Sequence, residues 1–219
     1  NRVYACNKET QEYLKNSNIL VDVPLNNMFR NLEIKKRKHE IPTILFVGRL
    51  INKKGLKLLL DALKYVDKNL TYKVLIYGEG NQYEYLKKLI REKDLSEKVF
   101  LKGKVLYKDI SDVYMKGDIF VLPSLRESGG SVLIEALAHK LPIVALDMAL
   151  AHLLSEHKCG LFINTQQEKN EILLEFGNAL SKLIKNLDIR EEYGNNGYKY
   201  VNENLTWDKM INEVHGKFI

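Results

Sequence analysis

Apolar residues along this chain gather in short continuous runs, separated by stretches with helical spacing. The runs are Thr43–Val47, Val74–Tyr77, Val99–Leu101, Ile119–Leu122, Pro142–Leu146 and Gly160–Ile163. Runs that are continuous rather than alternating suit strands covered on both faces. Between them, Leu56, Leu59, Leu60 and Leu63 recur at three- and four-residue spacing, and Tyr85, Leu86, Leu89 and Ile90 mark a second helix. Ile110, Val113 and Tyr114 predict a short helix, an apolar helix opens at Ser131, and Leu150–Ser155 predicts another short one. Ile172, Leu173, Phe176, Leu180, Leu183 and Ile184 predict a longer helix. Six strands alternating with helices predict an α/β fold with a doubly wound, Rossmann-like parallel sheet.

The two ends read differently. Val3–Cys6 and Ile19–Val23 are expected as short strands and Thr10–Leu14 as a helical turn or two. Asn26-Asn27 and the basic run Lys35–Lys38 follow, so residues 1–40 are expected to be the tail of a preceding domain and a linker. Residues 41–200 hold the alternating pattern. Residues 201–219 carry a final helix with Thr206 as its N-cap, and the sole tryptophan, Trp207, is expected to pack into the core. Ile189–Gly197 is assigned to no element.

Composition narrows the classes. The 219 residues are 45% hydrophobic and 28% charged, as in soluble globular proteins. No apolar run reaches the roughly 18 residues of a membrane-spanning helix. The chain begins at Asn1 without a signal-peptide pattern, so a piece of a longer, cytoplasmic protein is expected. Cys6 and Cys159 lack metal-ligand spacing and are expected to be structural thiols in a reducing compartment. His139 and His152 lack metal-type partners and read as structural or surface residues. The net charge of +6 admits nucleic acid, an anionic membrane surface or an anionic small ligand. No aromatic interleaving, helix-turn-helix or RNP pattern points to nucleic acid, and Lys35–Lys38 beside His39 reads as a solvated linker.

Candidate chemistry centres on Pro123–Ala136. A strand that turns through Ser128-Gly129-Gly130-Ser131 into a helix leaves backbone N–H groups without intrahelical partners. With the helix dipole they favour an anion, typically a phosphate. Glu127 beside such a site makes sense if the ligand also carries hydroxyls, because a carboxylate only accepts hydrogen bonds. The inferred ligand therefore joins a phosphate to something hydroxylated, such as a sugar. Glu135 reads either as an exposed helical glutamate or, with apolar Leu133, Ile134 and Ala136 around it, as a residue facing the crevice. Gly48-Arg49-Leu50 leaves the first long strand and Lys53-Lys54-Gly55 opens the next helix. Arg49 offers a planar fork of donors and Lys54 a compact charge, a pair suited to bracketing a diphosphate, although such residues in a surface loop are ordinarily solvated. Gly48, Gly78, Gly103 and the Glu127 loop all follow strand carboxyl ends, where doubly wound sheets bind ligands, and are expected to converge on one crevice. Neither a Walker-type loop nor G-x-G-x-x-G after the first long strand is present, which counts against an NAD site.

Several pieces together resemble one family. They are G-R-L-x-x-x-K-G (Gly48–Gly55), I-Y-G-E-G (Ile76–Gly80), F-L-K-G-K-V (Phe100–Val105), the spacing E-x7-E between Glu127 and Glu135, and E-A-L-A followed by L-P-I-V-A (Glu135–Ala145). Covering roughly Ile41–Ile163, this combination resembles the C-terminal, donor-binding domain of a GT-B glycosyltransferase of family 4 (glycosyl transferases group 1). These are retaining enzymes that use nucleotide-diphospho-sugars. The resemblance implies that Arg49 and Lys54 hold the donor diphosphate and take up charge on the leaving group. Backbone near Ser128, Gly129, Gly130 and Ser131 would assist, with Gly48 and Gly80 lining the donor. Glu135 would bind the ribose, Glu127 the transferred sugar's hydroxyls, and backbone at Lys104 and Val105 the base. No metal and no further cofactor is implied, in keeping with the lack of a D-x-D pattern. Partners implied are a UDP- or GDP-sugar and a glycan or glycolipid acceptor held by an N-terminal domain outside this chain. Without that domain the fragment is expected to be inactive.

By the same resemblance, Val23–Asn26 enters the donor domain and the Thr206–Trp207 helix crosses back to the other one. The activity implied is a hexosyltransferase-type glycosyltransferase of polysaccharide or glycolipid synthesis, cytoplasmic, with peripheral contact on the inner membrane face. Met148–Ala151, where the family often has paired glycines, and His139-Lys140, where a small residue is common, depart from the pattern and bear on sugar preference. A nucleotide-sugar epimerase of the same architecture and a non-catalytic nucleotide-binding module are the alternatives.

Overall fold

The computed structural model describes residues 3–5, 17–20, 25–34, 39–125, 130–147 and 154–216. Near the amino terminus Val3–Ala5 (β1) and Ser17–Leu20 (β2) pair in parallel. The six apolar runs form β3 (Thr43–Val47), β4 (Lys73–Tyr77), β5 (Val99–Gly103), β6 (Ile119–Leu122), β7 (Ile143–Leu146) and β8 (Gly160–Ile163). They build one sheet in the order β5-β4-β3-β6-β7-β8, with every pairing parallel. In-register partners such as Thr43↔Lys73 and Leu45↔Phe120 flank the central β3. All four residues of β6 and of β7 are buried, whereas the edge strands β5 and β8 are mostly half-buried. Continuous apolar runs are what strands wrapped on both faces require.

The described helices are α1 (Leu56–Ala62), α2 (Tyr83–Glu92), α3 (Ile110–Tyr114), α4 (Ser131–Ala138), α5 (Lys169–Lys185), α6 (Leu187–Asn204) and α7 (Trp207–Gly216). The chain winds outward from β3 to β5, then returns to β6 and winds the other way. Right-handed crossovers in opposite directions put α1 and α4 on opposite faces. α1 packs with α2 and α5, and α4 with α6. The reversal between β3 and β6 is the topological switch point of the sheet.

The structure assigns one stretch left open and corrects one expectation. The unassigned stretch Ile189–Gly197 lies inside α6, which runs unbroken from Leu187 to Asn204. Its glycines serve packing, not a turn. A Cβ on Gly194 would sit 2.2 Å from the Lys140 carbonyl oxygen, and one on Gly197 2.3 Å from Leu137 Cδ2, so α6 lies on α4 at a distance no larger residue permits without movement. Asn186 caps the helix by accepting from the Ile189 N–H at 3.1 Å. Arg190 donates to the Leu183 and Ile184 carbonyls at 2.6 and 2.8 Å, satisfying the end of α5. Trp207, expected in the core, is 43% exposed. Thr206 does cap α7, accepting from the Lys209 N–H at 3.3 Å.

Part of the stretch read as linker is docked on this domain. Leu25 and Phe29 are fully buried. The Leu25 N–H donates to the Leu205 carbonyl at 2.6 Å, and Tyr198 Oη to the Leu32 carbonyl at 3.0 Å. Arg30 pairs with Asp208 at 3.0 Å, so the chain on its way into the sheet lies beside the start of α7. Thr10–Leu14, Val21–Val23, Lys35–Lys38, Cys6, His152 and Met148–Ala151 lie outside the described residues. Of the helix expected over Leu150–Ser155, residues 154–156 are described and helical.

Candidate functional site

The loops that leave the carboxyl ends of β3, β4, β5 and β6 are tied into one rim by backbone hydrogen bonds. The Gly78 N–H donates to the Gly103 carbonyl at 2.8 Å, joining the β5 and β4 exits. Gly48 N–H reaches the Tyr77 carbonyl at 3.0 Å and Leu50 N–H the Glu79 carbonyl at 2.8 Å, joining β4 to β3. Across the switch point, Leu125 N–H donates to the Lys53 carbonyl at 2.9 Å. Gly55 closes the same seam. It is left-handed (φ 67°), and a Cβ there would sit 1.8 Å from the Pro123 carbonyl oxygen. Only glycine lets the turn holding Lys53 and Lys54 lie directly on the β6 exit.

The predicted residues fall along this rim. Gly48 and exposed Arg49 follow β3, and half-buried Lys54 stands in the turn before α1. Gly80 follows β4. Lys104 and Val105 follow β5, and the Lys104 ammonium is paired with Glu79 at 2.8 Å, both groups well exposed. That pairing raises the Lys104 pKa through its hydrogen bond to Glu79. Gly130 (φ 59°) is buried and opens α4, whose first residue, Ser131, is exposed. The first N–H groups of a helix have no acceptor within it, so α4 presents donors and the positive end of its dipole at this rim. Glu127, Ser128 and Gly129 lie outside the described residues.

Glu135 is neither simply exposed nor simply turned to the crevice. It is half-buried on α4, and Tyr114 Oη donates to its Oε2 at 2.8 Å. Burial pushes its carboxyl pKa up, opposed by that hydrogen bond. Burial, and then the charge of Glu135, push the Tyr114 hydroxyl well above its ordinary pKa, which keeps it a donor. The ring of Tyr114 is fixed from behind. It stacks on His139 at 4.8 Å and meets Phe29 edge-on at 6.5 Å. His139 is fully buried and structural, as expected of it. Its Nδ1 faces the Glu135 carbonyl at 2.7 Å, an acceptor only, so Nδ1 carries the proton, while Nε2 meets Ser111 Oγ at 2.8 Å. Phe29 also touches Tyr107, whose Oη accepts from Asn26 Nδ2 at 2.9 Å. The segment entering the domain thus braces the carboxylate on α4.

Sequence reasoning missed two residues here. Tyr114 comes from α3 and carries no local signal, since topology alone brings it to Glu135. Ser124, two residues beyond β6, is 2% exposed, and among the described residues its hydroxyl has no partner. A buried hydroxyl left unsatisfied costs about 1–3 kcal/mol. Among the described residues no three His, Cys, Asp or Glu side chains gather as metal ligands.

A doubly wound parallel sheet with loops joined across its switch point defines the class of Rossmann-like domains. The family follows from comparison. Residues 28–200 match the family model described as glycosyl transferases group 1, and the chain belongs to that family. An uncharacterized glycosyltransferase of Haemophilus influenzae is 31% identical over 212 residues, 94% of this chain and 56% of the relative. Another, of Methanocaldococcus jannaschii, is 29% identical over 172 residues, 78% of this chain and 43% of the relative. The chain spans about half the length of these curated relatives. Among solved structures, a mutant of S. aureus TarM in complex with fondaparinux, alpha-GlcNAc-glycerol and UDP superposes with a TM-score of 0.82 at 21% identity, covering 99% of this chain and 43% of that one. The fold is that of the C-terminal domain of a GT-B glycosyltransferase.

Proposed function

We propose that this chain is the donor-binding half of a retaining, metal-independent glycosyltransferase that moves a sugar from a nucleotide-diphospho-sugar to a glycan or lipid-linked acceptor. The observation that carries the reading is the seam at the switch point. There the Lys53 carbonyl and Leu125 N–H meet at 2.9 Å and Gly55 lies on Pro123, placing the Lys54 turn against the exit that leads to α4. A diphosphate in that seam meets Arg49, Lys54 and the first N–H groups of α4. Positive groups set in advance where the leaving diphosphate gains charge lower the barrier, each donor worth about 3 kcal/mol. Ser124 Oγ, without a partner among the described residues, adds a donor. Tyr114 holds one oxygen of Glu135 at 2.8 Å, which leaves the other to accept from ribose hydroxyls. The Lys104 side chain is engaged with Glu79, so base contact there falls to backbone at Lys104 and Val105. Glu127 is assigned the transferred sugar's hydroxyls.

In this reading residues 41–200 bind the donor. The segment 25–34 and α7, already side by side, cross to an acceptor domain at the cytoplasmic face of the membrane. The UDP bound in the TarM structure of like fold favours a uridine donor. No described helix is long and apolar enough to cross a membrane. Calorimetric titration of the chain with UDP, GDP, ADP and uridine tests the proposal. Arg49→Ala should weaken UDP about 10- to 100-fold, the size of a lost charge-assisted hydrogen bond, and leave uridine unchanged. Equal loss for UDP and uridine, or no diphosphate binding at millimolar concentration, contradicts it.

A further inference from the structure

At the amino-terminal end of the sheet, opposite the crevice, a hollow of about 380 Å³ opens between the end of α1, the start of β4 and the α2–β5 turn. Leu60, Leu63, Val66, Tyr72 and Leu95 form its apolar part, and Lys64, Lys68, Lys93 and Lys98 surround them. One of these lysines is neutralised, since Lys93 Nζ pairs with Asp61 at 2.7 Å. The one lining acid, Asp67, keeps its charge while its Oδ1 accepts from Asn69 N–H and Nδ2 at 3.0 and 3.1 Å, so the hollow sets one carboxylate against the three lysines other than Lys93. Lys64, Lys68 and Lys98 have no carboxylate within ion-pair reach among the described residues. Tyr72 makes the hollow more than a basic surface. It is 4% exposed, its ring lies under Lys98 Nζ at 5.1 Å, and among the described residues no group bonds its hydroxyl. Burial pushes that hydroxyl's pKa up, so it offers a proton and not a charge.

We propose that this hollow is a second ligand site, for an amphiphilic phosphate. The phosphate head sits among Lys64, Lys68, Lys98 and the Tyr72 hydroxyl, and an aliphatic segment lies on Leu60, Leu63, Val66 and Leu95. A bare inorganic anion would leave that floor wet, and a neutral apolar ligand would make no use of the exposed ammonium groups of Lys64, Lys68 and Lys98 or of the Tyr72 hydroxyl. A lipid headgroup and a soluble alkyl phosphate share this chemistry. The site lies at the strand ends remote from the switch point, so it does not compete with a nucleotide there.

Titration of the 219-residue chain with hexyl phosphate, inorganic phosphate and hexanol, at matched ionic strength, tests it. Hexyl phosphate should bind at least about tenfold more tightly than inorganic phosphate, the least that a few buried methylenes at about 0.8 kcal/mol each supply, and at least about tenfold more tightly than hexanol through hydrogen bonds to its charged head. Tyr72→Phe should weaken it about tenfold through loss of one hydrogen bond to a charged group. The Lys68→Ala, Lys98→Ala double variant should abolish it, while Lys73→Ala, outside the hollow, changes nothing. UDP titration should be the same in all variants, so failure here is separate from failure of the donor-site reading. Binding to vesicles containing phosphatidylglycerol with the same Tyr72 dependence identifies the lipid source, and binding of hexyl phosphate alone identifies the soluble one. Equal affinity for inorganic and hexyl phosphate, a silent Tyr72→Phe, or vesicle binding that any lysine substitution weakens alike would overturn the site.

Discussion

Glu135→Gln should stabilise the fold while harming the site. In the native chain the carboxyl is half-buried, with Tyr114 Oη 2.8 Å from Oε2. Burial raises its pKa above the ordinary value of 4.5 despite that hydrogen bond. A carboxyl whose folded pKa is raised holds its proton more tightly in the folded chain than in the unfolded one. Its contribution to stability is full below the unfolded pKa and is lost as pH rises through the folded pKa. At neutral pH the folded chain therefore keeps a charge it would shed at lower pH. Glutamine has the same shape, still accepts from Tyr114, and carries no charge. The variant should melt higher than the native chain at pH 7, and the gap should close as pH falls through the raised folded pKa and be gone below the ordinary 4.5. In a chain of this size 1 kcal/mol moves the melting temperature by about 2–4 °C, within reach of calorimetry or a dye-based melt. Ligand binding moves the other way. An amide oxygen accepts more weakly than a carboxylate, a difference of about 1 kcal/mol, so UDP should bind roughly five- to tenfold more weakly, with uridine weakened equally because the ribose is the shared part. A variant that melts lower at pH 7, or a gap that does not change with pH, would refute the burial argument. Unchanged UDP affinity would refute the ribose assignment.

Gly55→Ala should lower the melting temperature by several degrees and weaken UDP binding. The left-handed backbone alone costs about 1–2 kcal/mol, and the methyl group forces the Lys54 turn off Pro123; an unchanged variant would mean the seam is not tight. Gly194→Ala should destabilise more than Gly197→Ala. The first would press on the Lys140 carbonyl and the second on a Leu137 methyl that can rotate, so the reverse order in denaturant melts would contradict the α4–α6 packing. Cys159 is fully buried with its thiol pKa pushed up to about 12. At pH 8 its thiolate fraction is on the order of 10⁻⁴, so mapped alkylation should miss it in the native chain and find it in urea.

The sheet was legible because its central strands are wrapped on both faces, so burial wrote itself as six apolar runs. The capping of α7 by Thr206 was legible for a local reason, a hydroxyl beside the first free N–H groups. α6 was not, because Gly194 and Gly197 look like helix breakers until α4 lies against them. Their use is tertiary and leaves no periodic trace. Trp207 misled for the opposite reason, since residue type predicts burial only when something is present to cover it. In the site, the glycines and cations at strand ends were readable from topology once the strands were placed. The grip of Tyr114 on Glu135 joins residues 21 positions apart across β6, and the orphan hydroxyl of Ser124 depends on what surrounds it, so neither had a sequence signature.

The central claim is that a nucleoside diphosphate sits where α4 begins, between the β3 and β6 exits. Amide chemical-shift mapping of the ¹⁵N-labelled chain with UDP tests it directly. The largest shifts should fall on Gly48, Arg49, Gly55, Ser131 and Val132, with none around Tyr72 and Lys98. Shifts absent from Ser131 and Val132 at saturation, or concentrated at the amino-terminal end of the sheet, would contradict it.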